Sequence, residues 1–359
     1  MRPIYPFLLA LAQTALSVLA AASAQERNAL TILKEAGEAR TGGKWDLAIR
    51  LYTELLDSNP TDHAVLFLRG GCYEGKKEFR KAISDFGSAI TLDPKDASYL
   101  RARGRAHSSL GEFDRAMTDF KRAIAVKAND YGYFLRGSCF VEQKEFRKAA
   151  DDFTAALLLE PRDTTYLKAR GRAYQEVKDL DNAIKDFSSS IAIKADDYAY
   201  FLRGRCFEEQ KELQKAVNDF SVALVLDPND PGYLIARGRV YTTLKEFEKA
   251  SDDLTKAISL DRRSSYAYTL RAEAYRHKGD WDRALSDARW AVRLDPESAY
   301  AAMVWNEIYR EVMPRLPDFS GLPDIPSDRA ILEEDVKSFK RKGDKLVRQK
   351  GALPDRKGK

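Results

Sequence analysis

Cysteine and histidine are scarce, with three of each in 359 residues. The histidines His63, His107 and His277 and the cysteines Cys72, Cys139 and Cys206 are scattered, so no His-x-x-x-His pair or close cysteine pair exists to seat zinc. A phosphate-binding glycine loop and a G-x-S-x-G nucleophile turn are missing as well. Nucleophilic and metal catalysis therefore have no visible apparatus, and the expectation is a non-enzyme without a cofactor. Long apolar runs are equally rare: past residue 24 no segment has the length to cross a bilayer. The exception, Phe7 to Ala22, is interrupted by Gln13 and Thr14, preceded by Arg2 and followed by the small-x-small pattern Ala22-Ser23-Ala24. This predicts a signal peptide over 1–24, cleaved after Ala24, and an exported protein, periplasmic or extracellular; an uncleaved anchor is the competing reading. No cysteine stands near that site to carry a lipid.

What the chain does have is charge and helix-forming residues. Charged residues make up 32% and apolar residues 44%, a balance that suits amphipathic helices and argues against disorder. The length alone would suggest two or three globular domains, unless the chain repeats itself.

It does repeat. Aligned on small residues, the chain shows Ala36, Gly70, Gly104, Gly137, Gly171, Gly204, Gly238 and Ala272, spaced by 34, 34, 33, 34, 33, 34 and 34. An unbroken alanine series from Ala48 to Ala284 follows them at a fixed interval, and one helical turn further on stand Tyr52, Phe86, Phe120, Phe153, Phe187, Phe220, Leu254 and Ala288. Small and bulky residues at i+3 and i+4 spacings describe two short helices in close contact, so each unit is read as a helical hairpin. Turn signals such as Asn59-Pro60, Asp93-Pro94 and Asp227-Pro228 separate the units, because the residue before proline is pushed out of helical geometry. A longer period lies inside the short one: Cys72, Cys139 and Cys206 are evenly spaced, one in every second unit, and YFLRGSCF and YFLRGRCF recur in alternate units.

The period and the pattern G-x-x-Y, then A-x-x-x-F, then A, then P resemble the tetratricopeptide repeat family. That resemblance implies an all-α fold, a right-handed α-solenoid of eight helical hairpins with a C-terminal capping helix. The units fall at about 29–62, 63–96, 97–129, 130–163, 164–196, 197–230, 231–264 and 265–296. It also implies a binding protein. The first unit fits least well, with Ala36 and Ala39 where glycine and an aromatic are usual, as expected of a terminal cap.

Two charged series come and go together. Arg69, Arg103, Arg136, Arg170, Arg203, Arg237 and Arg271 are each followed, at one constant spacing, by Asp85, Asp119, Asp152, Asp186, Asp219, Asp253 or Asp287, while the first unit has neither. A structural ladder is the reading, set against a row of anion-binding arginines. The cysteines take places that hold Ala106, Ala173, Val240 and Ala274 elsewhere, so they are read as small packing residues; His107 stands where other units have tyrosine or phenylalanine.

In each first helix, the residues six before, three before, one after and four after the small position share a face. The resemblance implies that this face lines a concave groove. The groove then presents Phe67, Tyr131 and Phe134, Tyr198 and Phe201 from even units, and Arg101 and Arg105, Lys168 and Arg172, and Arg239 from odd ones, with Arg205 as one more charge. Such alternating strips suit a peptide with apolar anchors and carboxylates, since arginine grips a carboxylate with paired hydrogen bonds. Packing of Phe67, Phe134 and Phe201 against the next unit is the rival reading for the rings.

Residues 297–313 are expected to seal the stack through Tyr300, Val304, Trp305 and Ile308. A Pro-rich linker, 314–326, leads to a basic tail, 327–359, whose stretch from Lys337 to Lys359 is net +8. That tail is either a solvated end or a peripheral contact with an anionic surface. The leading expectation is a scaffold for other proteins or peptides, not nucleic acid; the alternative is a structural assembly factor of the cell envelope, attached through the tail.

Overall fold

The computed structural model describes residues 28–312, and all of its regular structure is α-helical. The expected signal peptide, linker and basic tail lie outside the described residues, as does residue 313 of the expected cap. Eight hairpins follow one another. They are α1 (residues 28–41) with α2 (Trp45–Ser58), α3 (His63–Gly75) with α4 (Phe79–Leu92), α5 (Ala97–Ser109) with α6 (Phe113–Val126), and α7 (Asp130–Glu142) with α8 (Phe146–Leu159). Next come α9 (Thr164–Glu176) with α10 (Leu180–Ile193), α11 (Asp197–Glu209) with α12 (Leu213–Leu226), α13 (Pro231–Thr243) with α14 (Phe247–Leu260), and α15 (Ser265–Lys278) with α16 (Trp281–Leu294). A last helix, α17 (Ala299–Val312), follows. The chain divides into two compact units, one ending at Ala195 and the other beginning at Asp196.

Local chemistry explains where the helices start and stop. The first helix of each hairpin from α3 onward is preceded by Asp62, Asp96, Asn129, Asp163, Asp196, Asp230 or Ser264, whose side-chain oxygen accepts a hydrogen bond from a backbone N–H of the first turn. Most second helices have no such cap. They start from a tight turn in which one residue takes a left-handed backbone: Gly43, Lys77, Gly111, Lys144, Lys178, Lys211, Lys245 and Gly279, with φ between 60° and 76°. The amide after it then reaches back, as Glu145 N does to Phe140 O at 2.8 Å.

Five of the hairpins close by ring against glycine, and Gly238 receives Leu254 in the same way. A Cβ placed on Gly70, Gly104, Gly137, Gly171 or Gly204 would stand 2.5–2.7 Å from the Phe86, Phe120, Phe153, Phe187 or Phe220 ring. These rings are buried to within 1% of full enclosure. Complete burial of a phenylalanine is worth about 1.5–3 kcal/mol. In the last hairpin Ala272 replaces the glycine and Ala288 the ring, so the added methyl has room.

Helix α17 covers the end of the second unit. Val304 and Ile308 are buried against Ala272, Ala284 and Ala288, with Tyr300 and Trp305 alongside. Within the first unit α3 approaches α5 and α5 approaches α7; within the second α11 approaches α13 and α13 approaches α15. Neighbouring first helices thus approach one another, and their free face carries the exposed Tyr131, Arg172, Tyr198 and Arg205.

Candidate functional site

The arginine and aspartate series meet inside each hairpin, not on a ligand face. Arg69 Nε and Nη2 donate to the two oxygens of Asp85, both at 2.8 Å, and the same fork joins Arg103 to Asp119, Arg136 to Asp152, Arg170 to Asp186, Arg203 to Asp219, Arg237 to Asp253 and Arg271 to Asp287. All seven carboxylates are buried. The hydrogen bond to Asp85 is the chief cause that holds the Arg69 guanidinium above the usual arginine range. A third nitrogen often ties the rung to the preceding hairpin, as Arg170 Nη1 does to Thr154 Oγ1 at 3.1 Å. This is a structural ladder, and its arginines have no fork left for an anion.

The free face of the first helices is different. Phe67, Phe134 and Phe201 are half-buried and pack two ways: Phe134 lies 5.8 Å from Phe153 of its own hairpin and 5.1 Å from Tyr166 of the next. Phe67 meets Phe86 and Tyr99, and Phe201 meets Phe220 and Tyr233, at similar distances. Within its own unit each ring is part of a packed floor. Tyr131 and Tyr198 stand above it, 37% and 39% exposed, each stacked on the phenylalanine three residues later at 6.3 Å.

The cations on this face divide into held and open. Arg239 Nε and Nη2 donate to the two oxygens of Glu208 at 2.7 and 2.6 Å, and its Nη1 reaches the Tyr266 hydroxyl at 3.2 Å. Burial works against its charge, yet Glu208 more than offsets that, and the guanidinium lies well above its usual range. Arg105 donates to Glu74 at 2.7 Å and to the Tyr131 hydroxyl at 3.3 Å, while its buried Nε finds no partner among the described residues. Arg101, Arg172 and Arg205 carry no ion pair or hydrogen bond among the described residues. Arg101 opens onto a shallow concavity of about 430 Å³ whose charged lining is mixed, with Asp93, Lys95, Asp96 and Lys127. Lys168, half-buried, stands one turn before the exposed Arg172 on α9.

Sequence reasoning missed Glu74 and Glu208. Both sit one turn after the small position of their own helix, on the face already singled out. Their arginine partners lie on the next first helix, and a helical periodicity read along one element at a time does not pair residues across two. The scattered cysteines are all buried, free thiols, and burial pushes the Cys72 thiol up to about 11. His107 is buried with Nδ1 2.7 Å from Glu112 Oε2, His63 Nδ1 lies 2.7 Å from the Tyr99 hydroxyl, and His277 stacks on Phe247.

Capped helix pairs, a ring seated on glycine in five of them and an arginine–aspartate rung in seven define a helical-hairpin repeat protein. A sequence profile described as tetratricopeptide repeat matches residues 33–97, 76–133, 101–157, 134–198, 169–231 and 235–299. The chain belongs to the tetratricopeptide repeat family. A stretch of 64 residues is 34% identical to the outer dynein arm-docking complex subunit 4 of Xenopus laevis, covering 18% of this chain and 12% of that relative's length. Solved structures share the fold. The C-terminal part of a repeat protein from Cytophaga hutchinsonii is similar at TM-score 0.55 and 18% identity, over 66% of this chain and 98% of that one. A tetratricopeptide repeat protein from Parabacteroides merdae is similar at TM-score 0.52 and 16% identity, over 69% and 99%. The Cut9–Hcn1 hetero-tetramer of the APC/C gives TM-score 0.52 and 18% identity, over 77% of this chain and 55% of that chain.

Proposed function

We propose that the protein is a protein-protein interaction scaffold that receives peptide segments of its partners on the free face of its first helices. The observation that carries this reading is the set of cations left there without an ion pair or hydrogen bond among the described residues: Arg101 and Arg172 in the first unit, Arg205 in the second. Exposed Tyr131 and Tyr198 lie on the same face. Open guanidinium groups near amphipathic rings suit a segment that offers carboxylates and apolar side chains. In this reading Lys168 adds to the positive field, Phe67, Phe134 and Phe201 supply the floor, and Arg105 and Arg239 are withdrawn by their glutamates.

Export belongs to the same proposal. The pattern over 1–24 supports it, and the partners would then be periplasmic or extracellular proteins. The alternative, an envelope assembly factor held by its tail, draws no support from the described residues.

The test is recovery of partners from the native compartment by the wild-type chain and by an Arg101→Glu/Arg172→Glu/Arg205→Glu variant of unchanged melting temperature. Loss of the partners is expected; an identical set recovered by both chains would overturn the reading.

A further inference from the structure

Arg105, Arg172 and Arg239 occupy the same place on alternate first helices, α5, α9 and α13. Two of the three are closed from within. Glu208 takes both Nε and Nη2 of Arg239, and Glu74 takes Nη2 of Arg105; each glutamate lies 31 residues before its arginine, on the preceding first helix. At that same spacing before Arg172 stands Val141. Arg172 is exposed and has no ion pair or hydrogen bond among the described residues.

The chain therefore displays the ligand of this position twice, and both times it is a carboxylate. We propose that Arg172 is an anchor for a carboxylate brought by a partner, and that Val141 takes the apolar side chain next to it. The proposal rests on the scaffold reading above and narrows it to one element of the first unit. Val141 has the chemistry for its part, being half-buried against the cluster of Ala149, Phe153 and Ala173. The pairing explains why an exposed arginine gives a usable site. A salt bridge in open water is worth little, about 0–1 kcal/mol, and gains strength once an apolar group excludes water from beside it. An acidic residue flanked by an apolar one meets both needs, whereas an isolated acidic residue meets one. Lys168, one turn earlier on α9, extends the positive field along the helix.

The test uses the full chain and fluorescence anisotropy with a labelled short peptide of alternating glutamate and leucine. The same peptide with glutamine in place of glutamate, and C-terminally amidated forms of both, are the comparisons. The glutamine peptide is expected to bind at least about tenfold more weakly. Val141→Glu, which builds the ion pair already present at the two sibling sites, is expected to weaken the glutamate peptide by a similar factor without lowering the melting temperature. Glu208→Val, which opens Arg239, is expected to add one binding equivalent. Amidation separates the sources of the carboxylate: unchanged affinity assigns it to the glutamate side chains, and a loss confined to the amidated forms assigns it to the C-terminus. Absence of saturable binding, equal binding of all four peptides, or undiminished binding by Val141→Glu overturns the proposal. If Val141→Glu recovers every native partner while the triple arginine variant recovers none, the anchor falls and the scaffold reading stands.

Discussion

Gly70 and Gly71 are neighbours on α3 with opposite surroundings. A Cβ on Gly70 would stand 2.6 Å from Phe86 Cε1, while one on Gly71 would meet nothing within 4 Å. Alanine at position 70 must displace a fully buried ring, and overpacking of this kind costs about 1–3 kcal/mol. Alanine at position 71 only removes the backbone freedom of glycine in a helix, which stabilises by about 0.5–1 kcal/mol. Denaturant unfolding of Gly70→Ala and Gly71→Ala should therefore shift in opposite directions; shifts of the same sign would refute this account of hairpin closure. At the same scale the arginine–aspartate rungs are legible in the sequence, because both partners belong to one hairpin and both are missing from the first unit. The state of Arg105 and Arg239 is not. In sequence they look as open as Arg172, since the carboxylates that hold them come from another hairpin.

The helices and their breaks are legible as elements, from the proline signals and from the bulky residue that opens each second helix. The conformation inside the hairpin turns is hidden. Three turns place glycine at the left-handed position, and five place lysine there. A side chain makes that backbone costly, by about 1–2 kcal/mol, part of which glycine returns as lost chain entropy. Lys144→Gly should thus stabilise its hairpin by about 0.5–1 kcal/mol, seen as a higher midpoint in urea with an unchanged slope. A lower midpoint would mean that the lysine side chain contributes more than its backbone costs.

At the scale of the two units, tyrosines tie α9 to α7 in the first and α13 to α11 and α17 to α15 in the second, and they set an alkaline limit. Burial is the main reason that Tyr166, Tyr233 and Tyr300 hold their protons well above the ordinary value of 10.0, and the carboxylates of Asp130, Asp197 and Glu273 add to it. An unfolded tyrosine ionises at about pH 10, so the unfolded chain loses these protons first. Stability from these groups is complete below that pH and falls as pH rises through the higher folded values. Melting temperature should drop between about pH 9 and pH 11, with the buried Cys72 thiol contributing to the onset. A Tyr166→Phe/Tyr233→Phe variant should show a shallower pH slope, whatever its melting temperature at neutral pH; an equal slope would remove tyrosine ionisation as the cause. The fold class is readable at this scale because one pattern is stated eight times.

The tie between Asp130 and Tyr166 at 2.7 Å returns as that between Asp197 and Tyr233 at 2.6 Å, two hairpins further along the chain. Genetic exchange between such segments has a natural unit. An in-frame gain or loss of one such pair would join surfaces of the same kind at the new seam, so the gene can lengthen or shorten its product by whole pairs of hairpins. A gain or loss of a single hairpin would set two like classes side by side and leave an aspartate or a tyrosine without its partner.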